Sequence, residues 1–404
     1  MSSPPNGATR PRVLVLARSY PNSVLPGQGL WVARFVRASL PIADPIVVSP
    51  TPRVLPGIPI PEWQRLRRVP AREVIDGVEV HYPRVLAGLS HYSHFLDAKL
   101  MLPGVRKLVR RLHTERRFEL IHAHFIYPEG VVAAKLGGEL GIPVVTTEHS
   151  HWRPWLDDER LVRSQVLNAL AGISVITTVS NATRLTVLDM IGPSHLVELL
   201  PNVLDETAFV PSTGEPRARN RILFVGIVRH VKGLDMLVRA LAILLSENPD
   251  VRLRVIGSTL TRSYRRDETE VKQLAVKLGL IDRIEFIDHL SPPEISSEMR
   301  QAAVLAVPSR RESFSAVTIE ALASGTPVVA TRCGGPEELL DDATGKLVPV
   351  DDPQAMADAL GEVLRRPERF DPLTLRARVL PRYGFAATTV RLNHLYRSAL
   401  ANRP

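Results

Sequence analysis

The chain has 404 residues, of which 45% are hydrophobic, 23% charged and 5% aromatic. At about 150 residues per domain this length favours two or three domains, and the composition excludes collagen-like, coiled-coil and wholly disordered chains. The formal net charge of +9 favours acidic partners, such as nucleotide phosphates, nucleic acid or an anionic membrane surface. The single cysteine, Cys333, excludes an intramolecular disulfide and fits a reducing compartment.

No segment has the pattern of a signal peptide or a membrane span. The first residues, MSSPPNGATRPR, lack an apolar core, and we expect residues 1–10 to be disordered. The uncharged stretch from Ser164 to Thr183 is interrupted by Ser, Gln, Asn and Thr, which makes it a poor span. We therefore expect a cytoplasmic protein.

Short apolar runs rich in Val and Ile alternate with amphipathic stretches along nearly the whole chain. Runs of this length and composition are typical of strands buried on both faces, and their alternation with helical patterns predicts βαβ units and parallel sheets. The predicted strands are Val13–Ala17, Pro45–Val48, Val78–His81, Leu120–His124, Pro143–Thr147, Ser174–Val179, Ile222–Val225, Leu253–Ile256, Ile284–Ile287, Val304–Val307 and Pro327–Ala330.

A Pro- and Gly-containing stretch, Leu204–Asn220, divides this pattern into two similar α/β halves. We predict a Rossmann-like domain at residues 11–205, which also takes up a C-terminal helix within residues 386–404, and a second Rossmann-like domain at residues 206–385. Because ligands bind at the carboxyl ends of parallel strands, two such domains are expected to face each other across a central cleft.

The most informative segment is VLAVPSRRESFSAVTIEALASGTPVVATRCGG at residues 304–335. Its pattern predicts a strand, a loop, a helix that begins after Ser315 and stops near Gly325, a second strand and a Gly-rich turn. Amides at the start of that helix form a predicted phosphate site. Glu312 precedes the helix, and Glu320 lies about one turn inside it, where a carboxylate can accept hydrogen bonds from ribose hydroxyls. The predicted binding residues here are Ser313, Phe314, Ser315, Ala316, Val317 and Glu320.

A second segment, FVGIVRHVKG at residues 224–233, also runs from a strand through a loop to the start of a helix. It contains Gly226, Arg229 and Lys232. A lysine at this point can stabilise a diphosphate as a leaving group.

The loop after the first strand, RSYPNSVLPGQGLWVARFV, contains Gly27 and Gly29. Glycines at these positions would let the backbone approach a phosphate or a sugar closely. The pattern is weak by itself, because GxGxxG occurs nowhere in the chain and an ordinary loop explains it equally well.

Two H-x-H pairs follow, His122 with His124 and His149 with His151. Such pairs occur in metal sites, but the chain has no H-E-x-x-H and no cysteine cluster, so we expect no metal. Core histidines with satisfied hydrogen bonds are the alternative.

Residues 105–117 have the pattern of a basic amphipathic helix. It is either a packed helix with a solvated charged face or a contact with an anionic membrane surface. Nucleic-acid binding is disfavoured, because aromatic residues are not interleaved with the charges.

The order of Pro308, Glu312, Phe314, Glu320 and the glycines after them resembles the donor-binding signature of family 4 retaining glycosyltransferases. The resemblance extends over roughly residues 12–400 and implies the GT-B fold of two Rossmann-like domains. The family usually has Arg where this chain has Ile227, and many relatives have Gly at the positions of Ser313 and Ser315.

The resemblance implies retaining, metal-independent transfer of a sugar from a nucleoside-diphosphate sugar to a glycan or lipid-linked acceptor, with no cofactor. The expected setting is cell-envelope glycan, polysaccharide or glycolipid synthesis, at the inner face of the membrane if residues 105–117 make contact. Glu320 would bind the ribose, and Lys232 with the amides near Ser315 would bind the diphosphate. Glu312 and His149 would contact the donor sugar, and Arg229 is the candidate to replace the missing arginine.

Two alternatives remain open. A nucleotide-sugar epimerase of similar fold would need no acceptor, and the complete segment from Glu312 to Gly335 disfavours it. A binding or regulatory protein that keeps the fold without turnover stays open because of the departure at Ile227.

Overall fold

The computed structural model describes residues 10–53, 61–86, 94–150, 160–212, 218–257, 265–288 and 290–401. These residues divide into two compact units. The first unit takes its residues from Met1–Val179, Thr183–Pro201 and Thr388–Pro404, and the second from Ser180–Ala182 and Asn202–Ala387. Residues 202–205, which we predicted in the first domain, therefore lie in the second unit. A hydrogen bond of 2.8 Å from the Leu204 amide to the Tyr383 carbonyl holds them there.

The first unit contains an eight-stranded sheet with the order β10-β9-β8-β7-β1-β2-β5-β4 and a two-stranded sheet of β3 and β6, counted over the described residues. The strands are β1 Arg12–Leu16, β2 Asp44–Val48, β3 Thr51–Pro52, β4 Arg72–Ile75, β5 Val78–His81, β6 Arg84–Val85, β7 Leu120–His124, β8 Val144–Glu148, β9 Val175–Thr178 and β10 Val197–Leu199. Among the described residues of this part of the chain, the α-helices are α1 Leu30–Ser39, α2 Pro61–Leu66, α3 Asp97–Arg116, α4 Val131–Leu140, α5 Arg160–Ala169 and α6 Asn181–Ile191.

Every pairing in these sheets is parallel except the hairpin of β4 and β5. Asp76 and Gly77 connect the two strands, and both have positive φ, at 49° and 80°. Two-residue turns of this kind match the twist of antiparallel strands, and Asp-Gly is one of their preferred sequences. The predicted parallel sheets are confirmed; the antiparallel edge was not predicted, although the Asp-Gly pair was the signal for it.

The basic helix predicted within residues 105–117 is part of α3, whose apolar face packs on the core of the first unit through Val105, Val109 and Leu112. Its basic face is partly neutralised: Arg106 and Arg110 pair with Glu139, and Arg116 pairs with Glu79, at N–O distances of 2.8–3.0 Å. These pairs favour a packed helix with a solvated charged face. No helix in the described ranges is both long and apolar enough to cross a bilayer.

The described residues of the second unit form a six-stranded sheet, all parallel, with the order β13-β12-β11-β14-β15-β16. The strands are β11 Arg221–Val225, β12 Arg252–Ile256, β13 Ile284–Ile287, β14 Val304–Val307, β15 Val328–Thr331 and β16 Gly345–Val348. The α-helices from here to the end of the described chain are α7 Leu234–Leu244, α8 Arg265–Lys277, α9 Pro292–Gln301, α10 Ala316–Ala323, α11 Pro353–Arg365, α12 Pro372–Tyr383 and α13 Phe385–Ala401.

Counted within the second unit, this strand order is 3-2-1-4-5-6, the order of a Rossmann fold. The direction of winding reverses between β11 and β14, which pair at Ile222–Val304 and Leu223–Leu305. Loops leave these two neighbouring strands toward opposite faces of the sheet and open a crevice between them. Both segments that carried the predicted donor site begin at this crevice.

A substitution at Leu237 tests how α7 packs in the core of the second unit. It is fully buried in α7, so Leu237→Ala is expected to lower the free energy of unfolding by about 2–5 kcal/mol through lost burial and a residual cavity. Urea-induced unfolding followed by circular dichroism measures the change. Leu373→Ala in α12 of the same unit is the control, because Leu373 is 69% exposed and its loss should cost less than about 0.5 kcal/mol. Equal losses in the two variants would contradict the placement of α7.

Candidate functional site

The crevice between β11 and β14 contains a cavity of about 320 Å³. The loop after β11 and the loop and helix after β14 supply its walls. Its lining includes most of the predicted donor-site residues. The lining residues are Phe224, Val225, Gly226, Ile227, Lys232, Ala306, Val307, Ser309, Glu312, Ser315, Ala316, Val317 and Glu320.

An ion pair between Lys232 and Glu312 joins the two walls. The Lys232 Nζ lies 2.7 Å from the Glu312 Oε1, and the Ser309 hydroxyl donates to the same oxygen at 2.7 Å. The Glu312 side chain is 9% exposed and that of Lys232 31% exposed, so the ammonium is the partner that reaches the cavity. Ser309 was not predicted as a site residue. A hydroxyl directly after Pro308 at the end of a strand was the available signal.

Gly233 allows the Lys232 turn to lie against the neighbouring loop. Residues His230–Lys232 form a single turn of 3₁₀ helix that ends at Gly233, which has a φ of 67°. A Cβ atom on Gly233 would lie 1.9 Å from the carbonyl oxygen of Pro308, closer than any contact allows. Only glycine both adopts this positive φ without strain and leaves room for the Pro308 carbonyl. Gly233 therefore allows Lys232 to lie beside Ser309 and Glu312.

The other side of the cavity is the amino-terminal turn of α10, which begins after Ser315 as predicted. Ser315 has φ 73° and ψ 68°, a left-handed conformation that favours glycine, and its hydroxyl lies 2.8 Å from that of Thr318. The amides of Ala316 and Val317 are in the first turn, where an α-helix offers them no acceptor. Together with the positive end of the helix dipole they form an anion site on the cavity wall.

Phe314 and Ser313 do not line the cavity. Phe314 is 3% exposed, and its ring packs edge-on against Tyr383 at 5.5 Å between centroids. The Ser313 carbonyl accepts a hydrogen bond from the Ser180 hydroxyl. A Cβ atom on Gly335 would lie 2.4 Å from the Phe314 backbone, so this loop passes directly over the Gly-rich turn. Both residues fix the loop between Glu312 and α10.

Arg229 and Lys232 lie on different cavities. Arg229 lines a second cavity, of about 200 Å³, together with Asp235 and Asp267. Ile227, where the family usually has an arginine, is 37% exposed and lines the first cavity with Lys232. The structure therefore does not bring Arg229 to the place where the missing arginine would be.

The neighbouring Cys333 cannot supply a nucleophile at neutral pH. Its carbonyl accepts a hydrogen bond of 2.9 Å from the Glu312 amide, so it lies directly behind the ion pair. Burial raises the pKa of its thiol to about 12, and the thiol stays protonated.

The placement of Arg229 predicts a difference between two cationic variants. Lys232→Ala is expected to weaken binding of a nucleoside diphosphate at least tenfold, because it removes the lysine cation from the cavity. Arg229→Ala is expected to change the Kd less than threefold. Isothermal titration calorimetry at fixed ionic strength measures both. A loss with Arg229→Ala as large as that with Lys232→Ala would show that Arg229 does replace the missing arginine.

In the first unit, the loop after β1 carries Gly27 and Gly29. Gly29 has a φ of 68°, and a Cβ atom on it would lie 2.1 Å from the Ser19 carbonyl oxygen. Glycine is therefore required by the packing of this loop on itself before α1 begins. Gly27 lies in the exposed turn just before it. Their predicted contact with a ligand stays a prediction.

Three histidines of the first unit, His122, His124 and His149, are buried and hydrogen-bonded. The His122 ring nitrogens lie 2.9 Å from the Tyr396 hydroxyl and 2.7 Å from the Thr147 hydroxyl, and His124 Nδ1 lies 2.8 Å from His149 Nε2. Burial lowers the pKa of His122 to about 3 and that of His124 well below its ordinary value. Both are therefore neutral core histidines, whereas His149 lies at the end of β8, where the predicted sugar contact would be. His151 is outside the described residues.

Within the described residues, no three His, Cys, Asp or Glu side chains are arranged so that they could hold a metal ion. Two buried carboxylates nearby were not predicted. Glu129 pairs with Arg18 at 2.8 Å, and Glu148 accepts hydrogen bonds from the amides of Ile126, His149 and Ser150. Burial raises the pKa of both carboxyl groups. They fix the loops that follow β1, β7 and β8.

The burial of His122 predicts that the free energy of unfolding falls as the solution becomes acidic. Since its pKa is about 3 in the folded protein and about 6.5 in the unfolded chain, unfolding takes up a proton between these values. Stability is then lost at up to about 1.4 kcal/mol per pH unit as the pH falls below 6.5. His122→Gln should be less stable than wild type at pH 8 but lose less stability between pH 7 and pH 5, as measured by urea unfolding. The exposed His394→Gln is the control, and a slope unchanged in His122→Gln would contradict the assignment.

Comparison with known families gives two matches. A model described as Glycosyltransferase Family 4 matches residues 67–208, and one described as Glycosyl transferases group 1 matches residues 205–378. The D-inositol 3-phosphate glycosyltransferase of Thermobispora bispora is 30% identical over 372 residues, covering 84% of this chain and 86% of that protein. That of Corynebacterium aurimucosum is 31% identical over 373 residues, covering 85% and 88%.

Solved structures of similar fold cover nearly the whole chain. Sucrose-phosphate synthase from Thermosynechococcus elongatus has a TM-score of 0.77 at 22% identity and covers 97% of this chain and 100% of that one. HepE of Anabaena in complex with UDP has a TM-score of 0.73 at 19% identity and covers 96% and 100%. At these identities the likeness shows the fold, which is GT-B as predicted.

Proposed function

Because the chain belongs to the group 1 glycosyl transferases of glycosyltransferase family 4, we propose that it moves a sugar from a nucleoside-diphosphate sugar to an acceptor hydroxyl with retention of anomeric configuration. Sugar transfer is the activity of the family. The proposal adds the donor type, the stereochemistry and independence from metal. One observation carries it: the Lys232 ammonium, the first-turn amides of α10 and the Glu320 carboxylate line the same cavity.

The residues of this cavity match the parts of a nucleoside diphosphate. A diphosphate needs cations and amide donors, which Lys232, Ala316 and Val317 provide. A ribose presents vicinal hydroxyls, for which the Glu320 carboxylate is an acceptor one turn further along α10. Phe224 and Val307 line another part of the cavity with apolar surface. The polar contacts to the diphosphate and the ribose would therefore come from the lysine, the amides and the carboxylate named above.

In the proposed reaction the bond between the anomeric carbon and the diphosphate oxygen breaks, and a bond from that carbon to the acceptor oxygen forms on the same face. The acceptor proton passes to the departing phosphate oxygen. Negative charge develops on the diphosphate, and Lys232 and the α10 amides are placed to stabilise it, so most of the catalysis is electrostatic. Lys232 pairs with Glu312 at the cavity wall, so donor binding would exchange this contact for a contact with phosphate.

The relatives suggest which substrates to try first. HepE was solved with UDP and with UDP-glucose, which favours UDP-sugars as donors. The names of the two relatives, D-inositol 3-phosphate glycosyltransferases, suggest an anionic polyol as the acceptor. The net charge of +9 favours anionic acceptors in general, including the lipid-linked glycans of cell-envelope synthesis.

The test is binding and slow hydrolysis of UDP-, GDP-, ADP- and TDP-sugars by the full chain, with and without EDTA. Wild type should bind one nucleotide selectively and release sugar in EDTA. Lys232→Ala should bind at least tenfold more weakly and lose most of the hydrolysis, and Glu320→Ala should bind about tenfold more weakly because the ribose loses an acceptor.

Matched controls come from the same unit. Lys346→Ala removes a lysine paired with Glu362, and Glu285→Ala removes a 62% exposed carboxylate that pairs with Arg254; neither residue lines the cavity. Both should bind like wild type. Adding D-inositol 3-phosphate or a lipid-linked glycan to the preferred donor should then give a product whose anomeric configuration is read by NMR.

Other outcomes separate the alternatives. Binding without turnover, with every acceptor, would favour the regulatory protein. Conversion of the nucleotide sugar to its epimer without an acceptor would favour the epimerase. Absence of nucleotide binding, or a strict metal requirement, would contradict the proposed site.

A further inference from the structure

Arg310 connects the two loops of the cavity without lining it. Its backbone amide donates to the Val231 carbonyl at 2.8 Å, and its Nη1 donates to the His230 carbonyl at 2.5 Å. Both carbonyls belong to the 3₁₀ turn that carries Lys232. Arg310 therefore holds the backbone immediately before the lysine.

The same guanidinium also holds the chain just after the lysine. Nη1 and Nη2 bind the two carboxylate oxygens of Asp235 at 2.8 Å each, and Nη2 contacts Asp351 at 2.7 Å. Asp235 lies in the first turn of α7, three residues after Lys232. Burial would raise the pKa of Asp235, but its hydrogen bonds and charge interaction with Arg310 lower it, so the pair stays ionic. Paired Arg–carboxylate hydrogen bonds of this geometry fix orientation as well as charge.

Arg310 lies in the loop after β14, one residue after Ser309 and two before Glu312. Ser309 and Glu312 form the hydrogen bond and the ion pair that meet Lys232 in the cavity. The segment with the lysine and the segment with its partners are thus joined by one side chain behind the cavity wall.

We propose that Arg310 is a positioning residue that fixes Lys232 for stabilisation of the departing diphosphate, an inference that rests on the proposed function. A lysine side chain is long and flexible, so its ammonium is only as well placed as the backbone that carries it. A loosened turn still offers a positive charge to a bound diphosphate, but it no longer holds that charge where negative charge develops. Small displacements of catalytic groups reduce rates by up to about 100-fold.

The test is a double-mutant cycle on Lys232→Ala and Arg310→Gln, with kcat and KM measured for the preferred donor. Arg310→Gln should lower kcat at least tenfold and change KM less than threefold. Because Arg310 acts through Lys232, the double variant should be no more than threefold slower than Lys232→Ala alone. Arg310→Lys keeps a charge but loses the two-point contact, and its kcat should lie between wild type and Arg310→Gln.

Controls separate positioning from a loss of stability. Arg365→Gln breaks an exposed pair with Glu247 in the same unit and should keep the wild-type kcat. Asp235→Asn removes the other half of the contact and should reproduce the kcat loss of Arg310→Gln. If Arg310→Gln does not fold, the cycle is carried out with Arg310→Lys, whose smaller kcat loss should likewise disappear on the Lys232→Ala background.

Two results would overturn the inference. One is an unchanged kcat in Arg310→Gln. The other is a double variant whose kcat is reduced by the product of the fold-losses measured in the two single variants. The proposed function fails differently: in that case the wild-type chain would bind no nucleotide or show no turnover, or Lys232→Ala would bind donor and turn it over like wild type.

Discussion

The contact of Lys232 with Glu312 depends on the adjacency of β11 and β14, and the rest of the cavity is arranged around it. The two strands are far apart in the chain, but the 3-2-1-4-5-6 order makes them neighbours and sends their loops to one edge. Gly233 then allows the lysine turn to touch the Pro308 carbonyl, and Ser309 fixes the carboxylate from behind. The Lys232 cation, the Glu312 carboxylate and the first-turn amides of α10 line one cavity of about 320 Å³ because the backbone permits this close approach of the two loops.

The two units hold the loops that follow their strands by partly different means. In the second unit these loops are fixed by close backbone contacts at glycines and by ion pairs that are partly solvated. The first unit has a similar backbone contact at Gly29 and an ion pair between Arg18 and Glu129, and it adds buried polar side chains. His122 and Glu148 are buried with full sets of hydrogen bonds, which is the condition for burying polar groups at tolerable cost. The stability that neutral, buried His122 contributes to the first unit should be lost as the pH falls below 6.5.

Much of the fold was predictable because strands buried on both faces must be apolar. All eleven predicted runs are strands, with bounds that differ by at most one residue at either end. Five described strands were missed, and all of them lie at sheet edges: β3, β4, β6, β10 and β16. An edge strand has one neighbour and a partly solvated face, so it needs no continuous apolar run. β16, GKLV, is accommodated by a close approach of Gly345 to the Val328 carbonyl, which no local pattern reveals.

The sequence by itself determined the fold class, the family and the residues Lys232, Glu312, Ser315 and Glu320 as site candidates, because residue type and order after strands carry that information. Only the tertiary structure decided which candidates share a cavity. It directed Phe314 into the core, placed Arg229 on another cavity and made Arg310 the link between two loops. The physical reason is that side-chain direction depends on the φ and ψ of each loop residue and on what the facing strand presents. Neither is encoded in spacing along the chain.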